Sequence, residues 1–249
     1  MLSNDYMSIE TGVSKVESLT PSRCWLMMFA GSPTPIATIK QGIKDRLDGH
    51  DETEIAVRLA AEETYREEVK RKIEGDILSP FGINRETFIR RGRGWFGDQQ
   101  FNRLLYEIAD CKLGVDLIIA GFEPNGWPRI FSINDPGTYE SHERLGFHAI
   151  GTGSIRAIGS LFTTYDPLLS KSELIYRVCE GKFLGEMASG VGEKTVVYTL
   201  GANAEYEQIV PKDIESQIRP TWEQKGKPPV PPEVLPKIES VLHKIKWRT

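Results

Sequence analysis

The chain has 249 residues, 39% of them hydrophobic and 27% charged, which is typical of a globular protein with a sizeable buried core. A formal net charge of −4 excludes an overall electrostatic attraction to nucleic acid or to an anionic membrane. The three cysteines are widely spaced and form no Cys-x-x-Cys pair, which argues against a disulfide framework or a zinc site and favours a reducing cytoplasm. Neither a secretory signal nor a bilayer-spanning apolar run is evident. We therefore expect a cytoplasmic protein with no membrane or nucleic-acid partner.

The first third of the chain predicts a buried strand followed by two helices. Residues 24–31 form a short apolar run that stops at glycine, as buried strands do. Apolar residues at helical spacing predict one helix over 34–47 and a second, highly charged helix over 52–74. The apolar stripe of the second helix is expected to consist of Ile55, Leu59, Val69 and Ile73.

The middle of the chain predicts a loop, a helix and a hairpin. Residues 90–95 are rich in arginine and glycine and indicate a solvated loop, with contact to an acidic partner or nucleic acid as the alternative. Apolar spacing then predicts a helix at about 98–110 that faces the same way as the helix before it. Residues 115–122 and 127–133 predict a β-hairpin.

The last part of the chain predicts two helices, a strand and a tail. The glycine turn, Gly151-Thr152-Gly153-Ser154, opens a short helix. Ser170 and Glu173 form a capping box at the start of the next helix, and a strand follows over 195–200. Prolines between 219 and 236 favour an extended segment. We expect one domain over residues 1–210 and a proline-rich extension over residues 211–249.

The strands therefore come in blocks separated by pairs of helices, an order that favours antiparallel sheets with helices packed outside. The order and motifs of residues 116–200 resemble the second half of a 20S proteasome β-type subunit, a member of the N-terminal nucleophile hydrolases. The resemblance implies an α+β fold, the four-layer αββα sandwich of that family. Helices at about 52–74 and 98–110 would cover one outer face, and those at about 153–164 and 172–188 the other.

In that family an N-terminal threonine hydroxyl attacks the peptide carbonyl, and its own α-amine serves as the base. A lysine lowers the pKa near the threonine, an aspartate orients the lysine, and a backbone N–H helps to hold the oxyanion. Carried over by position, the resemblance implies these three roles for Lys15, Asp5 and Gly31 respectively.

The resemblance also covers two supporting motifs. Thr152 occupies the serine position of the glycine turn and keeps a hydroxyl. Glu186, Ser189 and Gly190 match an Asp-x-x-Ser-Gly turn that supports the amine and its proton path, with glutamate in place of aspartate.

Each of these residues also has an ordinary structural interpretation. Asp5 would then be a solvated turn residue, Lys15 an exposed strand lysine and Gly31 a strand end. The glycine turn would serve only to open a helix, and residues 189–190 would be a helix C-cap.

The residue that should attack the substrate is not evident, because the chain opens with Met1-Leu2-Ser3-Asn4-Asp5. We expect the chain to begin inside the second strand of the fold, so that the true start lies upstream or the nucleophile has been lost. Thr11 is a poor substitute because no Asp-then-Lys pattern follows it at a suitable distance. Ser3 would have a free amine beside it only after trimming.

Two functions stay open. The first is a proteasome-like threonine-type hydrolase or peptidase subunit that is inactive as it stands, and the second is a non-catalytic structural subunit of a proteasome-like ring or assembly. In both cases we expect a homo-oligomer, with a peptide or protein substrate if it is active. We expect no cofactor and no metal, because Arg156 replaces the third glycine of a dinucleotide motif and the four histidines lack metal-ligand spacing.

Overall fold

The computed structural model describes residues 2–4, 7–9, 15–20, 22, 24–49, 52–202, 206–209 and 213–226. They form a mixed α+β fold with a five-stranded antiparallel sheet at its centre. Two separate antiparallel pairs accompany it: β1 (Leu2–Asn4) with β2 (Met7–Ile9), and β8 (Val197–Leu200) with β9 (Tyr206–Ile209). The strands of the central sheet are, in spatial order, β3 (Val16–Ser18), β4 (Trp25–Gly31), β5 (Val115–Phe122), β6 (Pro128–Asn134) and β7 (Thr138–Ser141).

Six α-helices lie within the described residues, and several of them begin at the predicted signals. They are α1 (Ile36–Leu47), α2 (Glu54–Lys72), α3 (Arg85–Ala109), α4 (Ser154–Thr164), α5 (Lys171–Gly185) and α6 (Arg219–Lys225). The backbone of α3 is broken at Gly97, where φ is +70°, so α3 consists of two helical segments, and the predicted helix at about 98–110 corresponds to the second. A π-helical turn (Ile73–Leu78) and a 3₁₀ turn (Ser79–Phe81) connect α2 to α3, and a second π-helical turn (Ile214–Ile218) precedes α6. The predicted capping box at the start of α5 is confirmed, with Ser170 and Glu173 bonding reciprocally. No helix in these parts of the chain is long and apolar enough to cross a membrane.

The main core lies between the central sheet and the first three helices. Because side chains alternate along a strand, every second residue of β4 and β5 faces these helices. Met27 and Ile119 are directly paired across the two strands and are fully buried. Ile39 and Ile43 of α1 pack into the same cluster. Burial of such a side chain contributes about 1.5–3 kcal/mol, so this face fixes the register of the sheet.

The opposite face of the sheet is more polar, and it leads to the candidate site. Ala30 of β4 is paired with Asp116 of β5, and Ile118 is paired with Ser132 of β6. Ser132 is fully buried although this face carries polar groups. A buried polar group needs a hydrogen-bond partner, so this face must be covered by groups that supply one.

A second, smaller core joins α5 to the C-terminal part of the described chain. Its buried members are Cys179, Phe183, Val197, Ile214 and Trp222. The rings of Phe183 and Trp222 lie 5.2 Å apart, which anchors α6 on α5. Burial raises the pKa of the Cys179 thiol to about 11, as expected of a cysteine in an apolar core.

Two local predictions are wrong. Residues 90–95 lie inside α3 rather than in a loop, because Asn84 caps the helix and Phe88 is buried beneath it. Glycine suits position 92 because a Cβ there would lie only 2.9 Å from the Phe88 ring and would clash with it. The predicted extended segment is helical over Arg219–Lys225, because Pro220 occupies the first turn, where its missing N–H is not needed.

The expected apolar stripe of α2 is also partly wrong. Ile55 is 58% exposed and Leu59 is 44% exposed. The buried face carries Val57, Ala61 and Tyr65 instead. Small residues allow α1 to approach α2 closely, and the Tyr65 hydroxyl reaches a backbone carbonyl of the sheet, so packing outweighs side-chain hydropathy here.

Candidate functional site

Three backbone segments meet near the end of β4. A Cβ on Gly151 would lie 3.0 Å from the Cβ of Ala30, so the glycine turn packs directly against β4. A Cβ on Gly153 would lie 2.6 Å from the carbonyl oxygen of Gly185, so the same turn also packs against the end of α5. Side chains at either position would separate these segments. The structure thereby brings the predicted site residues Gly31, Thr152 and Glu186 into one region.

Gly31 is required by the backbone independently of any chemistry. It is paired with Val115 and has φ +96°, a left-handed conformation that favours glycine. A Cβ at this position would overlap the carbonyl oxygen of Gly114. Its position at the exposed end of β4 leaves the predicted oxyanion role open, and that role stays a prediction.

Lys15 lies at the entry to β3 and is partly buried. Its carbonyl oxygen accepts a hydrogen bond of 3.3 Å from the backbone N–H of Phe29. Burial lowers the pKa of the Lys15 ammonium, and the nearby positive charge of Lys182 on α5 lowers it further. The side chain is therefore within electrostatic reach of the C-terminal end of α5. Asp5, the predicted partner of Lys15, lies outside the described residues.

The carboxylate of Glu186 is enclosed by four donor atoms. Arg219 donates to Oε2 at 2.7 Å and to Oε1 at 3.1 Å, and Thr195 donates to Oε1 at 3.2 Å. Lys182, one turn earlier on α5, is ion-paired with the same oxygen. The Glu186 side chain is 6% exposed and the Arg219 side chain 16% exposed. A carboxylate this deeply buried needs such partners to remain charged.

The guanidinium of Arg219 is itself enclosed by further partners. It donates to Glu215 and, at 2.8 Å, to the carbonyl oxygen of Glu193. The Cζ atom of Arg219 lies 4.2 Å above the centroid of the Phe183 ring, which is a cation–π geometry. The hydrogen bonds to Glu186 and Glu215 raise the pKa of Arg219 further above its ordinary value. Together these contacts join the end of α5, the segment between α5 and β8, and α6.

The other predicted residues of this region are exposed. Thr152, Ser189 and Gly190 all lie at the surface. The backbone N–H of Ala188 donates to the carbonyl oxygen of Gly185 at 3.1 Å, and Gly190 has φ +80°. These residues lie in the turns beyond α5, which ends at Gly185 with Glu186 as its C-cap in a right-handed conformation, so the interpretation of residues 189–190 as a helix C-cap is wrong. A supporting role for Ser189 and Thr152 in catalysis stays a prediction.

Sequence reasoning missed four residues that the structure adds to this region. Lys182 had a local signal, because it lies four residues before Glu186 on one helix. Arg219 had none, since 33 positions separate it from Glu186. The sequence offers no signal that pairs His142 with His148, whose rings stack on each other. Across the described ranges, no three His, Cys, Asp or Glu side chains are placed to hold a metal ion.

Comparison with known proteins supports the fold. The sequence matches no protein-family model and no curated protein. A solved structure, the Anbu (Gly-1) mutant from Hyphomicrobium sp. strain MC1, superposes with a TM-score of 0.59 over 95% of this chain and 86% of that chain. The two sequences are 10% identical, so the likeness concerns the fold alone. It shows that this chain shares the fold of the Anbu structure.

Proposed function

We propose that the chain is a subunit of a proteasome-like assembly and is built for threonine-type hydrolysis of peptide bonds. The observation that carries this proposal is the meeting of Lys15, the end of β4 and the glycine turn within a fold shared with Anbu. The three features that the resemblance assigns to catalysis come from distant parts of the sequence.

The full proposal includes a four-layer sandwich. In it β1, β2, β8 and β9 belong to a second sheet, which lies on the polar face of the central sheet. Helices α4 and α5 then cover the outer face of that second sheet. Two observations support this arrangement: α5 shares a core with Val197 of β8, and the glycine turn joins α5 to β4.

The proposed chemistry assigns Lys15 the task of lowering the pKa of a threonine α-amine, so that the neutral amine takes the hydroxyl proton. A partly buried ammonium does this more strongly than a fully solvated one, because the surrounding dielectric is lower. A backbone N–H at Gly31 would hold the oxyanion of the tetrahedral intermediate. This chemistry also requires the threonine itself, which supplies the hydroxyl and the α-amine.

A non-catalytic structural subunit is the second candidate, and one observation favours it. Glu186 stands where the family has an aspartate of the proton path, yet its carboxylate is occupied by Arg219, Lys182 and Thr195. A carboxylate locked in this way is poorly suited to moving protons. In this case the ion network would serve to fix α5 and α6 for assembly.

Either function implies association of copies, and the surface of α4 supports this. Ile155 is 84% exposed and Phe162 is 60% exposed, and the two side chains lie two turns apart on one face of the helix. Apolar side chains grouped in this way mark interaction surfaces. We propose that the chain forms homo-oligomers, which light scattering of the purified protein would measure directly.

Two measurements test the proposed hydrolysis. Mass spectrometry of the native protein establishes its N-terminal residue, and fluorogenic peptide amides report cleavage. A preparation that starts at Met1 offers no hydroxyl beside a free amine, so we expect no cleavage from it. A native form with an N-terminal threonine should cleave and should respond to a threonine-directed inhibitor.

A lysine variant then separates the two candidates. In an active native form, Lys15→Ala should abolish cleavage without loss of the folded state, whereas Lys70→Ala, on an exposed position of α2, should leave cleavage unchanged. Full activity of Lys15→Ala would reduce the resemblance to one of fold. An oligomer that carries an N-terminal threonine and yet cleaves nothing would favour the structural subunit.

A further inference from the structure

A buried histidine is attached to the central sheet beside the candidate site. His142 directly follows β7 and is 3% exposed. Its Nε2 lies 2.9 Å from the hydroxyl of Ser132 on β6, and its backbone N–H donates to the carbonyl oxygen of Ile130 at 3.0 Å. The side chain and the backbone of His142 are therefore both tied to β6. A ring held in this way offers a fixed surface for other groups to pack against.

His148 packs on that surface. The two imidazole rings are stacked with centroids 3.6 Å apart and an angle of 5° between their planes. His148 belongs to the segment that runs from β7 into the glycine turn, only three residues before Gly151. One residue earlier, Phe147 packs edge-on against Phe162 of α4, at 5.2 Å. The segment thus contacts the sheet through His148 and the helix through Phe147.

The charges around the pair allow one added proton more readily than two. Burial lowers the pKa of His142, and the neighbouring His148 lowers it further. Burial also lowers the pKa of His148, while Glu140 of β7 and Asp116 of β5 oppose this shift. Burial and the charge of Asp135 raise the pKa of Asp116, the other carboxyl group that acts on His148. A second imidazolium at stacking distance would face strong repulsion in this environment.

We propose that His142 is a positioning residue for the glycine turn, and that it holds the turn against β4 only while the His142–His148 pair carries at most one proton. The proposal rests on the proposed function only in treating the glycine turn as part of the site. Loss of the stack would release His148, and the turn that follows it would lose its link to the sheet. The contact between Gly151 and Ala30 would then open in acid.

The direction in which pH changes the stability of the stack follows from the lowered pKa values of His142 and His148, which favour uncharged imidazole rings. Because both pKa values lie below the ordinary 6.5 in the folded state, the stabilisation is present above that pH. It is lost progressively as the pH falls below 6.5, since the unfolded chain then binds more protons than the folded one. The expected response is therefore local loosening in weak acid.

The experiment measures histidine titration by NMR together with amide exchange in the glycine turn. The chain has four histidines, so His142→Gln, His148→Gln and the control His50→Gln assign the ring signals. Protection is followed at the Ser154 and Ala157 amides, which donate to Gly151 and Gly153 carbonyls. In the wild type we expect two rings to titrate below the ordinary value. Protection at both amides should fall about tenfold between about pH 7.5 and about pH 5.5.

The variants decide the outcome. In His142→Gln, whose amide can still bond to Ser132, protection should change little with pH, and His50→Gln should behave like the wild type. Glu140→Gln, at an exposed position, removes a carboxylate that favours protonation, so the loss of protection should move to lower pH. Three outcomes would each overturn the proposal. They are titration of both rings at the ordinary histidine pKa, loss of amide protection at the same pH in Glu140→Gln as in the wild type, and a loss of protection in His142→Gln as large as in the wild type. None of these readouts requires catalysis, so they are independent of the peptidase test.

Discussion

The guanidinium of Arg219 donates to both carboxylate oxygens of Glu186, at 2.7 and 3.1 Å, across 33 positions of sequence. A bidentate arginine–carboxylate pair of this kind is both strong and specific in its geometry. It links the end of α5, next to the glycine turn, to α6 near the end of the described chain. The candidate site therefore depends on a segment that the sequence motifs do not include.

The first prediction concerns this pair. Arg219→Met should destabilise the folded chain by about 3–5 kcal/mol, because it leaves a buried carboxylate with fewer partners. The double variant Arg219→Met/Glu186→Gln should be destabilised by less than the sum of the two single changes. Urea unfolding of the three variants measures this. Arg103→Met, which removes an exposed ion pair with Glu107, should change stability by no more than about 1 kcal/mol; equal losses at Arg103 and Arg219 would contradict the network.

The second prediction concerns Gly31. Gly31→Ala combines a left-handed backbone, which costs about 1–3 kcal/mol, with overlap of the Gly114 carbonyl. We expect a large fall in the unfolding midpoint or no folded protein. Gly82→Ala is the matched control, since φ is +68° there and a Cβ would meet no atom within 4 Å. A similar loss in both variants would show that backbone conformation alone, and not the close approach of Gly114, requires glycine at Gly31.

The third prediction concerns the Tyr65 hydroxyl, which lies 2.6 Å from the carbonyl oxygen of Val115 and 2.8 Å from Oδ1 of Asp135. Tyr65→Phe should destabilise the chain by about 1–3 kcal/mol, because it removes the single hydroxyl proton that the two oxygens share, although the backbone N–H groups of Leu113 and Gly114 still donate to Asp135. Tyr106→Phe, at a residue 76% exposed, should have no measurable effect. Thermal unfolding of the two variants compares them, and equal melting temperatures would show that this hydroxyl contributes nothing.

The fourth prediction concerns Asp116. Burial, followed by the charge of Asp135, raises the pKa of its carboxyl above the ordinary 3.8. A raised carboxyl pKa means that the ionised form is disfavoured in the folded state, so the associated stability is present in acid and lost as the pH rises through the folded pKa. Asp116→Asn should therefore raise the melting temperature at about pH 7 and not at about pH 3.

The control for Asp116 is Asp110→Asn, which removes an exposed carboxylate (85% exposed side chain) at the end of α3. Its effect should be small at both pH values. Destabilisation of Asp116→Asn at neutral pH would mean that the Asp116 charge has a favourable partner, and it would contradict the assigned cause.

Local patterns in the sequence are enough to predict those parts of the fold that depend on neighbouring residues in the chain. The strand at 24–31, the helices at 34–47 and 52–74, the hairpin of β5 and β6 and the capping box at Ser170 follow from spacing and short-range hydrogen bonding, and each is confirmed. The resemblance to a proteasome-like fold depends on the order of such elements, and the superposition on Anbu supports it at the level of the fold. Hydrophobic periodicity is a property of residues that are close in the chain, so it can be observed in the sequence without the tertiary structure.

Tertiary packing, in contrast, sets how the candidate site is built. The contacts of Gly151 with Ala30, of Arg219 with Glu186 and of His142 with His148 each depend on where separate elements pack. It also overrode local signals, because burial of Phe88 turned a glycine-rich segment into helix, and burial of Trp222 did the same for a segment with proline. The physical reason is that burial and charge pairing are set by neighbours in space, and these can outweigh the smaller preferences of neighbours in sequence.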